Sequence, residues 1–233
     1  MHLLATQPGQ IEDGSEAVDL GQTPGEVLFL SAADTELAAV SDAFSNQQVL
    51  GSFQSKSETP LDLRLANLMV LKHNLSVDVY CDDMVAHAKM VIIRLLGGRA
   101  YWTYGVDQIV ETCRQNGVQL VLLPGDDKPD AELKSLSTIP DEQRETMWTY
   151  LVHGGPKNTR NFLAYTHQIL TEKTTDVEAP DVEAPEPLLK YGTYLAGVGA
   201  ASLERVLSPI LNSDKFKLDA ANAKQSNRVA LVF

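Results

Sequence analysis

Two arginines and three aromatic residues lie close together in the stretch VIIRLLGGRAYWTYG, which covers residues 91–105. Arg94 interrupts an apolar run, and Arg99, Tyr101, Trp102 and Tyr104 follow a Gly-Gly pair. A guanidinium group pairs with a carboxylate through two parallel hydrogen bonds, and an aromatic ring offers a flat apolar face. These residue types therefore predict that the segment binds a large planar molecule that carries carboxylates, or that it supports the cleft in which such a molecule binds.

The same residues also have a purely structural interpretation. The glycines would form a turn, Trp102 would pack a helix onto a sheet, and Arg94 would form an internal ion pair with Asp34 or Asp126. Asp34 follows the first apolar run of the chain, so it is itself a candidate for the same site. The sequence leaves both interpretations open.

A second candidate is the segment HGGPKN, residues 153–158, which separates two predicted helices. The backbone N–H groups that open a helix can receive an anion, so His153 and Asn158 are candidate binding residues. In the structural alternative, Asn158 is the N-cap of the second helix and the Gly-Gly pair ends the first.

The elements that position these residues follow from the hydrophobic pattern. Continuous apolar runs, typical of strands covered on both faces, predict strands at 27–31, 65–71, 90–96 and 118–123. Helical spacing predicts four helices at about 36–44, 101–115, 141–152 and 158–170. A further helix is predicted to begin after an N-cap at Ser76. This alternation predicts an α/β fold with an open parallel sheet flanked by helices, flavodoxin-like or doubly wound. Ligands of such sheets lie outside the carboxyl ends of the strands, where the first group of candidates falls.

Composition divides the chain into four parts. We expect an N-terminal extension over 1–24, an α/β head domain over 25–170, and an acidic, Pro-rich, solvated linker over 171–187, where DVEAP occurs twice in tandem. Residues 188–233 would begin a second α/β domain, because the last six residues, RVALVF, have the pattern of a buried strand. A strand with no helix to cover it suggests that the natural protein continues.

Charge and missing motifs exclude several classes of function. A net charge of −12 at pH 7 argues against a nucleic-acid or anionic-membrane partner, since both are polyanions. Two cysteines in predicted helices fit a reducing compartment, so we expect a cytoplasmic protein. The sequence contains no phosphate-binding GxxxxGK[ST] motif, no HExxH and no CxxC, and its histidines lack ligand spacing. We therefore assign no catalytic residue and no metal ligand.

Four blocks in order, FLSAADTELAAV, VIIRLLGGRAYWTYGVDQI, HGGPKNTRNFL and VALVF, resemble the N-terminus of the large subunits of tetrapyrrole metal chelatases. The opening MHLLATQPG and the phrase DLGQTPGEVLFLSAADTEL are more similar to the cobalt branch, the large (N-type) subunits of aerobic cobaltochelatases. The sister branch is the porphyrin-binding H subunit of magnesium chelatase.

The resemblance implies a subunit of an ATP-dependent complex that inserts Co²⁺, its substrate, into the corrin hydrogenobyrinic acid a,c-diamide in cobalamin biosynthesis. It implies two smaller partner subunits, one of them an AAA+ ATPase, which hydrolyse ATP that this chain does not bind. The residues that deliver the metal would lie beyond residue 233, and this chain alone would be inactive. In this setting Arg94, Arg99, Tyr101 and Trp102 would build or support the tetrapyrrole-binding cleft.

Three alternatives stay open at this point. The chain could be a non-catalytic docking module for the partner subunits, a magnesium-branch subunit, or a free-standing flavodoxin-like ligand-binding protein.

Overall fold

The protein is described here from a computed structural model that covers residues 16–50, 61–171, 182–187, 193–195 and 199–201. The chain divides into two compact units, Met1–Glu186 and Pro187–Phe233. The described part of the first unit contains β1 (Val27–Ser31), α1 (Asp34–Leu50), β2 (Leu63–Asn67), α2 (Asn74–Asp83), β3 (Met90–Leu95), α3 (Thr103–Asn116), β4 (Gln119–Pro124), α4 (Ala131–Leu136), α5 (Asp141–His153) and α6 (Gly155–Thr171).

The four strands form one parallel sheet in the order β2-β1-β3-β4. The predicted α/β fold with an open parallel sheet is therefore confirmed. This order matches the first four strands of the flavodoxin-like arrangement, in which the chain changes direction across the sheet between β1 and β3. The carboxyl ends of β1 and β3 are thus neighbours, with Ser31 opposite Arg94 in the register.

Both faces of the sheet are covered, which explains why the strands are continuously apolar. Residues of α2 and α3 pack in one cluster with Val91, Ile93 and Leu95 of β3. Residues of α1, α5 and α6 pack in a second cluster with Met90 and Ile92. Because side chains alternate along a strand, Arg94 faces the second side, toward α1, α5 and α6.

The second strand differs from its predicted range of 65–71. It ends at Asn67, whose side-chain oxygen accepts the N–H of Met69 at 2.8 Å and starts a turn. Backbone hydrogen bonds from Val70 to Asn67 and from Leu71 to Leu68 complete this turn. The apolar residues Leu68 and Leu71 are buried, but as part of the turn rather than the strand, and an apolar pattern alone does not distinguish the two.

The predicted N-cap Ser76 is also wrong. The helix begins at Asn74, and the ring Nδ1 of His73 accepts the N–H of Leu75 at 3.2 Å. Ser76 is buried one turn further on, where its hydroxyl oxygen accepts the N–H of Val18 at 2.7 Å. This bond fixes the N-terminal segment against α2, a role that only the tertiary structure assigns.

Part of the predicted linker is anchored to the head domain. Residues 182–187 include the last four residues, VEAP, of the second DVEAP repeat, and Val182 packs against the core cluster of α1, α5 and α6. The hydroxyl of Tyr150 donates to the carbonyl of Glu183, and Lys157 forms an ion pair with the Glu183 carboxylate at 2.7 Å. These contacts differ from the fully solvated linker expected over 171–187.

In the second unit the described residues form one antiparallel pair, β5 (Thr193–Leu195) with β6 (Gly199–Ala201). The strand predicted for the last six residues lies outside the described residues. In the part of the chain that the structure describes, no helix is long and apolar enough to span a bilayer.

The two cysteines give a testable consequence of the packing between α2 and α3. Burial raises the pKa of the Cys81 thiol to about 11 and that of Cys113 to about 12. Thiols of an unfolded chain ionise near pH 8.5, so the folded state keeps its protons where the unfolded state loses them. The two protonated thiols therefore contribute fully to the free energy of unfolding below pH 8.5, and this contribution is lost as the pH rises toward 11 to 12.

We therefore expect the free energy of unfolding, measured by urea titration, to decrease between pH 9 and pH 11. The decrease should be shallower in a Cys113→Ala variant, because one of the two thiols no longer titrates. At pH 8 a disulfide reagent such as dithionitrobenzoate should modify neither thiol until urea unfolds the protein. Rapid modification of the folded protein would contradict the burial of both side chains.

Candidate functional site

The candidate residues from both parts of the sequence converge on the carboxyl edge of the sheet. Asp34 begins α1 directly after β1, and residues 97–102 follow β3. Helix α5 runs in the same direction as the strands, because Arg144 donates to the carbonyl of Leu122 and Trp148 to that of Asp126. The α5–α6 turn therefore lies at the same edge.

Arg94 is buried, and its charge is used inside the protein. Its Nε donates to Oε1 of Glu36 at 2.9 Å, and its Nη2 donates to the carbonyl oxygen of Gly125 at 3.1 Å. The side chain of Arg94 is only 7% exposed. An internal ion pair is therefore present, but its partner is Glu36 rather than either of the aspartates that the sequence suggested.

Glu36 is the residue at this edge of the sheet that the sequence interpretation missed. Its second carboxylate oxygen accepts the hydroxyl of Ser31 at 2.7 Å, so strand β1, helix α1 and strand β3 meet at one carboxylate. The available signal was an acidic residue in the first turn of α1, after the strand that neighbours β3. Without the strand order, Glu36 could not be distinguished from Asp34 in the same turn.

Burial lowers the pKa of Arg94, and the carboxylates of Glu36 and Asp126 act against this shift. One guanidinium nitrogen, Nη1, is buried without a hydrogen-bond partner among the described residues. In sheets of this topology, ligands bind in the crevice between the carboxyl ends of β1 and β3. Here the Arg94–Glu36 pair fills that position.

Arg99 is partly exposed but held by two acidic residues. It forms a bidentate pair with Asp107, with both N–H···O distances 2.8 Å, and a longer contact to Glu132 at 3.3 Å. Two carboxylates thus neutralise its charge locally. A ligand carboxylate would have to displace them before Arg99 could bind it.

Trp102 is buried and packs in the core, whereas Tyr101 lies at the surface. The indole N–H of Trp102 donates to the carbonyl of Leu71 at 2.9 Å, and the side chain lies in the core. The ring rests on Gly105, where an added Cβ would come within 2.0 Å of it. Tyr101 is 47% exposed, and its hydroxyl donates to the sulfur of Met69 at 3.2 Å.

Asp34 lies on the surface between two strand ends. Its carboxylate accepts a hydrogen bond from the side-chain amide of Asn67 at 2.6 Å. This contact connects the loops that follow β1 and β2. Among the described contacts of Asp34, none is to an arginine.

The HGGPKN segment forms a shorter connection between the two helices than the sequence predicted, because α5 ends at His153 and α6 begins at Gly155. His153 is the last residue of α5 and is half-buried, and Gly154 follows with a φ of +59°. Helix α6 starts at Gly155, so Asn158 is not its N-cap but a buried residue inside the helix. The side-chain amide of Asn158 donates to the carbonyls of Gly154 and Glu186, and its oxygen accepts the N–H of Glu186.

A groove of about 180 Å³ lies between the first turns of α1 and the α5–α6 turn, with Glu36, Leu151 and Thr159 among its lining residues. Pockets that hold drug-sized ligands have volumes of about 300–1,000 Å³, so this groove is too small for a tetrapyrrole. Among the described residues, no cluster of three or more histidine, cysteine or acidic side chains has the arrangement of a metal site.

The chain is similar to known proteins over most of its length. Over 199 residues, or 85% of this chain, it is 40% identical to the aerobic cobaltochelatase subunit CobN of a Sinorhizobium species. It is 39% identical to CobN of Pseudomonas aeruginosa in an alignment of 231 positions that covers 88% of this chain. The chain spans 14% and 18% of the lengths of these relatives.

The chain is also similar to a solved structure of a cobaltochelatase subunit. The catalytic subunit of cobaltochelatase from Mycobacterium tuberculosis matches 72% of this chain and 12% of its own, with a TM-score of 0.52 and 26% sequence identity. No family model matches the chain.

Removing the carboxylate of Glu36 should destabilise the fold strongly. In a Glu36→Ala variant the Arg94 guanidinium would stay buried without a counter-charge, which costs about 3–5 kcal/mol of unfolding free energy. Urea denaturation measures this loss. The matched control, Asp34→Asn, alters an exposed acidic residue of the same helical turn and should cost less than about 1 kcal/mol.

A double variant tests the cause of that loss. Adding Arg94→Met to Glu36→Ala removes the unpaired charge as well, so the double variant should be more stable than Glu36→Ala alone. A double variant that is less stable by the sum of the two single losses would contradict the pairing.

Asn158 should control the attachment of residues 182–187. An Asn158→Leu variant loses the hydrogen bonds to Glu186, so a protease specific for glutamate should cleave after Glu183 about fivefold faster or more. Lys157→Ala, which removes only exposed ion pairs, should change the cleavage rate less. Equal rates in the wild type and Asn158→Leu would show that these hydrogen bonds do not hold the segment.

Proposed function

This chain belongs, as one segment, to the family of the aerobic cobaltochelatase subunit CobN, and we propose that the protein inserts Co²⁺ into a corrin ring in cobalamin biosynthesis. The observation that carries the proposal is the 40% identity over 85% of this chain. The likeness in fold to a cobaltochelatase catalytic subunit supports it. Both curated relatives belong to the cobalt branch, which favours cobalt over magnesium.

The proposal includes a division of labour between subunits. The substrate is hydrogenobyrinic acid a,c-diamide, and Co²⁺ is the second substrate rather than a resident cofactor. An AAA+ ATPase and a second small subunit hydrolyse ATP, which agrees with a sequence that has no GxxxxGK[ST] motif over its 233 residues. The complete large subunit, of which this chain is one segment, binds the tetrapyrrole.

Within that subunit the described domain has a supporting role. Metal insertion requires removal of protons from ring nitrogens, distortion of the ring and dehydration of the cation, and a rigid protein frame favours all three. Arg94 and Trp102 contribute to such a frame, because each is buried with partners inside the domain. We propose that neither touches the corrin.

We propose a cytoplasmic location for the protein. The buried free thiols of Cys81 and Cys113 suit a reducing compartment. The net charge of −12 disfavours nucleic acid and anionic membranes as partners and suits a basic protein.

A second candidate role, docking of the partner subunits, is favoured by one observation. Met69, Leu96 and Tyr101 are large apolar side chains that stay exposed at the carboxyl edge of the sheet. Exposed apolar residues that cluster at one site are typical of interaction surfaces.

An insertion assay tests the chelatase proposal directly. The full-length subunit with its partner subunits, ATP and Co²⁺ should metallate hydrogenobyrinic acid a,c-diamide, as followed by the absorbance change of the corrin. Mg²⁺ with protoporphyrin is the control reaction for the magnesium branch. Metallation of the porphyrin and not the corrin would contradict the cobalt assignment.

The supporting role predicts a different result from direct contact. Trp102→Phe removes the hydrogen bond to Leu71 and should lower the melting temperature, while corrin affinity stays within about twofold of wild type. Fluorescence quenching on titration with the corrin measures the affinity, and circular dichroism measures the melting temperature. A tenfold loss of affinity without a loss of stability would place Trp102 in contact with the corrin.

A further inference from the structure

Exposed apolar residues are concentrated at one end of the head domain. Among the described residues, four large hydrophobic side chains are exposed: Met69 by 40%, Leu75 by 53%, Leu96 by 59% and Tyr101 by 47%. Met69 follows β2, Leu75 lies in the first turn of α2, and Leu96 and Tyr101 follow β3. All four therefore belong to the loops and helix starts at the carboxyl edge of the sheet.

The sheet order places three of these residues on neighbouring loops, and we call Met69, Leu96 and Tyr101 the carboxyl-edge patch. Strands β2 and β3 flank β1, so the loops that follow them are about 10 Å apart. The hydroxyl of Tyr101 contacts the sulfur of Met69 at 3.2 Å. An apolar surface thus extends across the edge of the sheet.

The backbone under the patch is held firmly. The indole of Trp102, next to Tyr101, is bonded to the carbonyl of Leu71, two residues beyond Met69. The backbone of Leu96 lies so close to Gly125 that an added Cβ there would come within 2.6 Å of the Leu96 nitrogen. The patch is thus preformed, and binding to it requires little ordering of the chain.

Acidic residues predominate around the carboxyl-edge patch. Asp34, Asp126 and Asp127 are exposed in the loops after β1 and β4, and Lys128 is an exposed basic residue beside them. Arg99, beside Tyr101, is already paired with Asp107 and Glu132. An apolar centre with an acidic rim repels the carboxylates of a corrin and attracts a surface rich in lysine or arginine.

We propose that the carboxyl-edge patch is the docking surface for a basic face of a partner subunit of the chelatase, with an apolar side chain of that partner at its centre. This inference rests on the proposed function, because it takes the chain to be part of a multi-subunit chelatase. Apolar contacts at the centre supply the affinity, and the acidic rim gives the orientation and the rate of association.

Two kinds of variant test the proposal in the full-length subunit. Leu96→Glu places a carboxylate at the centre of the patch and, because Leu96 is exposed, should leave the melting temperature unchanged. The probe is the purified ATPase partner subunit, and biolayer interferometry measures its affinity. We expect Leu96→Glu to weaken binding about tenfold or more, and Met69→Glu to behave in the same way.

The rim is tested by removal of charge. Asp126→Asn combined with Asp127→Asn should weaken binding about threefold or more at low salt and reduce its dependence on salt concentration. The matched control is Gln115→Glu, which adds one carboxylate to an exposed residue at the end of α3, at the opposite edge of the sheet. This control should bind the partner as the wild type does.

The outcomes separate this inference from the proposed function. Cobalt insertion by the wild-type complex together with wild-type partner binding by Leu96→Glu would overturn the docking surface and leave the chelatase proposal intact. A loss of corrin affinity in Leu96→Glu with unchanged partner binding would also overturn it, in favour of a ligand surface. Failure of the wild-type complex to insert cobalt, with partner binding still lost in Leu96→Glu, would overturn the chelatase proposal alone.

Discussion

A buried ion pair at the carboxyl edge of the sheet holds the ends of three neighbouring strands together. Arg94 comes from β3, Glu36 from α1 and the supporting hydroxyl of Ser31 from β1, while Gly125 beyond β4 supplies a carbonyl. The guanidinium loses water on burial, and the carboxylate and the carbonyl replace part of that hydration. Three neighbouring strands and one helix are therefore fixed in position by one charged group.

The ion pair also decides what this edge of the sheet can bind. In open parallel sheets the crevice between β1 and β3 is the usual place for a small ligand. The Arg94–Glu36 pair fills it, and the adjacent groove of about 180 Å³ is too small for a macrocycle. The outer surface of the loops, with Tyr101 and Leu96 exposed, is what stays available for interaction.

The two arginines of the VIIRLLGGRAYWTYG stretch show how position changes the chemistry of one residue type. Arg94 is inside, where its charge needs a fixed partner, and Arg99 is at the surface, where Asp107 and Glu132 screen it. Neither presents an open guanidinium to a carboxylate ligand. Because both guanidinium groups are paired, the acidic residues of the rim, Asp34, Asp126 and Asp127, dominate the exposed charge at this edge. This charge is consistent with a role for the edge in contacts between proteins.

Much of the fold could be predicted because strands buried on both faces require continuous apolar runs. The first strand was predicted at 27–31, where the structure has it, and the third and fourth were correct to within one residue. Gly117 ends α3 with a φ of +68°, a backbone conformation that glycine adopts readily. These features depend on local chemistry, so the sequence carries them directly.

The candidate site could be predicted only in its location. Loops at the carboxyl ends of the strands were expected to hold it, and Arg94, Trp102 and Asp34 are found there. Which of them is buried depends on the register of β1 against β3, which no local pattern encodes. Asn158 has the residue type of an N-cap, yet it bonds to Glu186, 28 residues away.

The sequence by itself determined the parallel sheet and the end of the sheet at which chemistry-bearing residues gather, because apolar periodicity and turn residues act over a few positions. Only the tertiary structure decided that Glu36 pairs with Arg94, that the hydroxyl of Ser76 accepts the N–H of Val18 and that Glu186 docks onto α6. Each of these contacts joins groups whose proximity is created by packing, and their energies depend on burial that exists only after the chain has folded.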